Sequence, residues 1–152
     1  NRNYLYLRMN VSDAYTLNRP QAIPGVGLGY RFASGNSAID LSASYTRGRD
    51  RRDAHRRTEF ITVPKISYFF YANPLSSGSM YFGGGLAYGR IRTGEGNRFE
   101  GLIPSLSLGY EMTRTSSMLS FLQLDLNQPA LAASARGAFP GPVVELAVGA
   151  GF

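Results

Sequence analysis

Apolar and polar residues alternate along most of this chain. Successive side chains of a β-strand point to opposite faces, so the pattern predicts strands with one apolar and one polar face. No apolar run reaches the about 20 residues that a transmembrane helix needs. Turn residues separate eight alternating segments, which are residues 4–11, 25–32, 39–46, 60–71, 80–91, 102–112, 118–127 and 143–152.

The turn after the second segment predicts its own register. The sequence Ser-Gly-Asn-Ser at 34–37 is typical of a two-residue hairpin turn. That turn places Phe32 opposite Ile39, and Arg31 opposite Asp40. One register therefore puts an apolar pair on one face and an ion pair on the other, which favours this pairing over a slipped one.

The fourth segment does not assign its faces clearly. Both of its alternating sets contain large apolar residues, and Pro64 interrupts it. Proline removes a ladder donor, so we expect a bulge or a local irregularity there. We place Lys65 on the inner face.

The connections alternate in length. Long ones are expected at 12–24, 47–59, 92–101 and 128–142, and short ones at 33–38, 72–79 and 113–117. Transmembrane barrels have short turns on one side and longer loops on the other. An even strand number also brings both termini to the side of the short turns.

The contents of the two faces indicate which one meets lipid. The less apolar face is mostly glycine, serine, alanine and threonine, which suit a narrow closed interior better than a water-exposed surface. The other face is apolar, with aromatics near the strand ends, including Phe60, Tyr71 and Tyr81, as in interfacial girdles. We therefore predict one all-β domain over residues 1–152, an eight-stranded antiparallel up-and-down transmembrane β-barrel with meander topology.

Two segments resemble a known group of proteins. The last strand, Val-Glu-Leu-Ala-Val-Gly-Ala-Gly-Phe at 144–152, resembles the terminal signature of bacterial outer-membrane proteins. The segment Tyr-Phe-Gly-Gly-Gly-Leu-Ala-Tyr-Gly at 81–89 is similar to the glycine-rich strand of small OmpA-like and OmpX-like barrels. The resemblance implies an outer-membrane location, periplasmic termini, and recognition of Phe152 by the barrel-assembly machinery.

Charged residues on the inner face form a first candidate site. They are Arg8, Arg31, Asp40, Lys65, Glu111, Asp125 and Glu145. The first and last strands meet when the barrel closes, so Arg8 and Glu145 can approach each other. Because small barrels fill their interior with side chains, we expect a structural polar plug. The alternative is a narrow, gated pathway for ions or small solutes.

A basic segment at 47–59 forms the second candidate site. The net charge is +6 and Lys65 is the only lysine, so arginine supplies nearly all of the positive charge. The segment's arginines are Arg47, Arg49, Arg51, Arg52, Arg56 and Arg57. On the expected topology this loop lies outside the cell, where it meets lipopolysaccharide phosphates, sulfated glycans or a partner protein. The alternative is a solvated loop with internal salt bridges.

Other classes of function have little support. No nucleic-acid-binding module is recognisable. The only histidine, His55, lies in the basic segment, and cysteine is absent, so we expect no metal site, no cofactor and no catalytic residues. An enzyme that modifies lipid A is the third hypothesis, because some small barrels transfer or hydrolyse acyl chains.

Overall fold

A computed structural model describes residues 2–14, 22–49, 57–113 and 117–152, and these residues form a single β-sheet. The strands are β1 (Arg2–Ala14), β2 (Ala22–Ser34), β3 (Ser37–Arg49), β4 (Arg57–Tyr71), β5 (Ser79–Arg92), β6 (Arg98–Glu111), β7 (Leu119–Asn127), β8 (Leu131–Arg136) and β9 (Val143–Gly151). No helix that is long and apolar enough to cross a membrane occurs among the described residues.

The sheet closes on itself as a barrel. Each of β1 to β6 pairs with the next strand in antiparallel fashion, and β1 also pairs with β9. β7 lies between β6 and β9, so the ring is complete. The predicted register of the first tight turn is confirmed, with Phe32 opposite Ile39 and Arg31 opposite Asp40.

β7 and β8 share the seventh place in the ring, which the sequence did not predict. Residues 128–142 were expected to be a connection, yet β8 lies within them and pairs with β6. Between the two strands the Gln128 and Ala130 amides still donate to carbonyls of β6, at 2.9 and 3.1 Å. Pro129 has no amide hydrogen to donate. The seventh strand is therefore interrupted rather than ended at this point.

The described strands are longer than expected. Strand pairing continues into the segments that were predicted as long loops, so on that side residues 15–21, 50–56, 93–97 and 137–142 lie between the described strands. On the other side residues 35–36, 72–78 and 112–118 lie between them. Backbone groups beyond the apolar part of the barrel still gain hydrogen bonds by pairing, which extends the hairpins. We call the two sides the loop end and the turn end; both chain termini lie at the turn end.

A bulge in β4 explains why its faces were ambiguous. Thr62 pairs with Gly89 and Lys65 with Ala87, so Val63 and Pro64 together occupy one place in the ladder. Because of the extra residue, the alternation of inward and outward side chains is reversed after the bulge. Residues 58, 60 and 62 point inward before the bulge, as do 65, 67, 69 and 71 after it. The predicted irregularity at Pro64 and the inward position of Lys65 are confirmed.

The outward surface is apolar over most of its height. Its side chains are exposed in this isolated chain, for example Leu7 at 71%, Leu106 at 66% and Phe82 at 58%. The apolar outward positions run from Met80 to Tyr88 on β5. The eight residue-to-residue steps between them, at about 3.4 Å each and tilted by about 40°, give a band about 21 Å tall, close to that of transmembrane barrels.

The interior is bulkier than the sequence predicted. Tyr71 and Tyr81 were assigned to an outward girdle, and so was Phe60, but all three point inward and are at least 95% buried. The faces of β4 exchange at the bulge, and glycines on neighbouring strands make room for the rings. One buried cluster at the turn end contains Tyr4, Tyr6, Phe69, Tyr71, Tyr81, Leu119 and Phe121. A second, at the loop end, contains Phe60, Ala87, Ile91, Phe99, Ile103 and Val143.

Candidate functional site

Arg31 is fully buried inside a cage of aromatic rings at the turn end. Its guanidinium carbon lies 4.7 Å from the centre of the Phe121 ring and 4.9 Å from that of Phe69. The rings of Tyr81 and Tyr6 complete the cage at 5.0 and 5.6 Å. Ring faces attract a cation, most strongly when water is excluded.

Carboxylates provide the counter-charges of Arg31. Its Nε donates to Asp40 Oδ2 at 2.8 Å, and Nη1 lies 3.6 Å from Glu111 Oε2. Each carboxylate also accepts a tyrosine hydroxyl, Asp40 from Tyr6 at 2.7 Å and Glu111 from Tyr71 at 2.6 Å. A buried charge needs such partners to offset its desolvation.

Asp125 forms a second centre, nearer the middle of the barrel. Its Oδ2 lies 3.2 Å from Lys65 Nζ and 3.6 Å from Arg8 Nη2. It also accepts the Ser107 hydroxyl and the side-chain amide of Gln123. Gln123 Oε1 accepts from Arg31 Nη2 at 3.3 Å, so this glutamine joins the two centres.

Glu145 connects the network to the barrel closure. It forms an ion pair with Arg8, as strand closure predicted, and accepts from Asn10 at 3.0 Å and Ser12 at 3.1 Å. Asn10 in turn donates to Thr46 at 2.9 Å. The structure thus brings all seven charged residues singled out from the sequence into one buried, hydrogen-bonded group.

The aromatic cage was not predicted from the sequence, although a signal for it existed. Each of its rings stands opposite a glycine on a neighbouring strand; Gly29, for example, is the cross-strand partner of Tyr6. A Cβ at Gly29 would lie 2.3 Å from the Tyr6 ring, and one at Gly109 would lie 2.2 Å from the Tyr81 ring. Glycines on the inner face therefore mark the places where a large neighbour leans across.

The described part of the basic segment presents its charge outward at the loop end. Arg47 and Arg49 end β3, Arg57 begins β4, and all three are exposed. Arg47 lies opposite Glu59, with Nε 3.6 Å from Oε1, whereas Arg49 lies opposite Arg57. The other predicted residues, Arg51, Arg52, Arg56 and His55, lie outside the described residues.

A second outward set of arginines was not singled out from the sequence. On β5 and β6, Arg90 lies opposite Glu100 and Arg92 lies opposite Arg98, and Arg98 also lies opposite Arg136 of β8. These residues are far apart in the sequence, so only the sheet register reveals the cluster. Among the residues that the structure describes, no group of three or more histidines and carboxylates is placed to hold a metal ion.

Phe152 lies at the turn end, directly after β9. Its side chain is 83% exposed, and its backbone amide and carbonyl both bond to Leu5 at 3.1 and 3.0 Å. The last residue is thus held in the closing pair of strands, with its ring free on the surface.

Comparisons with known proteins identify the architecture. No protein-family model matches the sequence, and no curated protein matches it either. Among solved structures, Neisserial surface protein A is similar over 97% of this chain and 94% of its own, with a TM-score of 0.74 at 11% identity. The attachment invasion locus protein Ail of Yersinia pestis is similar over 98% of this chain and 95% of its own, with a TM-score of 0.60 at 12% identity.

A third similar structure is the N-terminal barrel domain of Pseudomonas aeruginosa OprF. It is 15% identical, with a TM-score of 0.56, and the match covers 99% of this chain and 98% of that domain. Ail has also been solved in complex with the heparin analogue sucrose octasulfate. That structure has a TM-score of 0.57 at 12% identity, and the match covers 98% of this chain and 96% of the other. The chain therefore has the fold of the small eight-stranded outer-membrane β-barrels, of the OmpA-like and OmpX-like kind.

Proposed function

We propose that this chain is a single-domain barrel of the bacterial outer membrane that binds external polyanions through the arginines of its β3–β4 hairpin. The observation that carries the proposal is the outward cluster of Arg47, Arg49 and Arg57 just beyond the apolar band. The ligands in question are lipopolysaccharide phosphates and sulfated glycans. The role is structural and surface-interacting, without catalysis.

The apolar outward surface supports insertion in lipid. A water-soluble protein rarely exposes an apolar patch of more than a few hundred Å². A closed barrel also satisfies every strand edge, which the hydrocarbon interior requires. With the termini in the periplasm, the arginine hairpin lies at the cell surface and Phe152 faces the assembly machinery.

The position and chemistry of the hairpin arginines support the choice of ligand. Arg47 has Glu59 opposite it, and this 3.6 Å pair is exposed and therefore weak. Arg49 and Arg57 face each other, which concentrates positive charge. Guanidinium groups bind sulfate and phosphate through paired N–H donors. The complex of Ail with sucrose octasulfate indicates that a barrel of this fold can bind a sulfated ligand.

We infer that the lumen is closed by side chains. Buried apolar clusters lie at both ends, and the ion-paired group fills the space between them. This filling favours a plug over the alternative of an ion or solute pathway. A plugged lumen leaves the outer surface as the place where this protein acts.

Heparin and lipopolysaccharide binding by hairpin variants tests the proposal. The triple variant Arg47→Gln, Arg49→Gln, Arg57→Gln removes three charges from the hairpin, and the six-arginine variant also changes the positions at 51, 52 and 56. Affinity for both ligands is expected to fall at least tenfold in the triple variant and further in the sixfold one. The matched control for the heparin measurement is Arg92→Gln, Arg98→Gln, Arg136→Gln, which removes the same charge from a separate part of the surface and should leave heparin affinity unchanged. Equal heparin affinity in the hairpin variants and the wild type would refute the proposal.

A further inference from the structure

Three arginines form a row across neighbouring strands at the loop end. Arg92 on β5 is the Cα partner of Arg98 on β6, and Arg98 is the Cα partner of Arg136 on β8. All three are outward positions. Like charges directly opposite each other in an antiparallel pair are destabilising. This row contains that unfavourable arrangement twice, which indicates that an anion offsets it.

The nearest carboxylates do not neutralise the row. Glu100 is the partner of Arg90, whose Nε and Nη2 both lie 3.0 Å from its Oε2. Its other oxygen accepts the Tyr88 hydroxyl at 3.0 Å. Glu95, in the connection between β5 and β6, forms no ion pair with any described residue. Glu100 also interacts electrostatically with Arg92, but this one carboxylate, shared with Arg90, cannot offset three guanidinium groups. The row therefore keeps a net positive charge for an external partner.

A cavity lies beside these arginines. It has a volume of about 190 Å³ and is lined by Arg90, Arg92, Arg98, Phe99, Glu100 and Ser134. This is several times the about 30 Å³ that one water molecule occupies in the liquid. Within the described part of the chain, the buried Nε of Arg92 has no hydrogen-bond partner. The site thus combines positive charge, an unused donor and enough room for a phosphate group.

The height of the row on the barrel points to a lipid headgroup. Tyr88 is the last apolar outward residue of β5, and tyrosines of this kind mark the membrane interface. Arg92 follows four residues later, which places the row about 10 Å above Tyr88 for strands tilted by about 40°. This distance is suitable for the phosphates of lipids whose acyl chains contact the apolar band.

We propose that Arg92, Arg98 and Arg136 bind a phosphate group of a phosphorylated lipid in the outer leaflet. This site is separate from the β3–β4 hairpin. The inference rests on the membrane location in the proposed function, but not on polyanion binding by the hairpin. The lipid would tie β8, which pairs only with β6 among the described strands, to the rest of the barrel.

Lipid titration of the refolded protein in detergent, followed by native mass spectrometry, tests this site. Wild type should bind diphosphorylated lipid A at least tenfold more tightly than the dephosphorylated lipid. The variant Arg92→Gln, Arg98→Gln, Arg136→Gln should lose that preference, whereas the hairpin triple variant should keep it. Equal binding of the two lipids by wild type, or an unchanged preference in the row variant, would overturn the proposal. Competition by millimolar inorganic phosphate would indicate a free-anion site and would overturn the lipid assignment.

Thermal unfolding of Arg98→Gln separates a binding role from a structural one. Without an anionic lipid, this variant should melt at or above the wild-type temperature, because two like-charge contacts are removed. With diphosphorylated lipid A, wild type should gain several degrees and the variant should gain little. A variant that melts well below wild type in plain detergent would show that the row supports the fold, against this proposal. Heparin binding by the hairpin is measured separately, so failure of one site leaves the other testable.

Discussion

Replacing Arg31 with methionine tests the energetic account of the lumen. Methionine is shorter than arginine, but it keeps an unbranched side chain that packs well against aromatic groups. The change removes the charge and the hydrogen bonds of the guanidinium group, and it leaves Asp40 and Glu111 buried without their cation.

The expected loss of stability follows from the cost of an unpaired buried charge. Removing one partner of a buried ion pair typically costs about 3–5 kcal/mol. The Tyr6 and Tyr71 hydroxyls still donate to the two carboxylates, so the lower half of that range is expected. In the double variant with Asp40→Asn, about 2 kcal/mol of the cost should be recovered, because the pair is then removed as a unit.

The assay is reversible urea unfolding in lipid vesicles. Circular dichroism reports strand content, which suits a chain without tryptophan, and the gel migration of unheated samples reports the folded fraction independently. A loss below about 1 kcal/mol for Arg31→Met, or no coupling with Asp40→Asn, would contradict the view that these charges are buried and paired.

Further predictions concern packing, conductance and pH. Gly29→Ala should cost about 1–3 kcal/mol in the same unfolding assay, because its Cβ would meet the Tyr6 ring at 2.3 Å. Gly84→Ala, whose nearest contact is at 3.3 Å, should be close to neutral. Wild type should carry no steady small-ion current in planar bilayers, whereas the Arg8→Ala variant should carry a measurable one. A steady current through the wild-type lumen would argue against the plug. Hydrogen bonds from a tyrosine and an arginine lower the pKa of Glu100. The hydrogen bonds of Glu100 should therefore persist at neutral pH and be lost as the pH falls through that lowered pKa. A side-chain NMR titration would reveal this loss. A titration midpoint at the ordinary pKa of glutamate would contradict it.

The architecture could be predicted from the sequence because every second side chain of a strand in lipid must be apolar. The strand period therefore appears directly as an alternation of apolar residues. Each lipid-facing residue must be apolar, and the hairpin at Gly35–Asn36 sets one register for both faces. The charged members of the lumen were identified in the same way. An isolated charge on an inner face has to find a partner, and seven such positions lie on the predicted strands.

What could not be predicted depends on register between distant strands. The faces of β4 exchange at Val63 and Pro64, and no local pattern indicates which of two apolar faces is the inner one. The row from Arg92 to Arg136 exists only because an interrupted seventh strand continues along β6. Sequence alternation cannot reveal such a continuation, since residues 131–136 are exposed and carry mostly small side chains.

The central claim is that the outward face of a closed barrel contacts lipid. Because the chain has no cysteine, single cysteines can be introduced at consecutive positions 105 to 108 of β6 and labelled with a fluorophore before refolding in vesicles. Lipid-linked quenchers should quench the labels at Leu106 and Leu108 strongly and those at Ser105 and Ser107 weakly. Equal quenching at all four positions, or a folded monomer that stays soluble without detergent or lipid, would contradict the account.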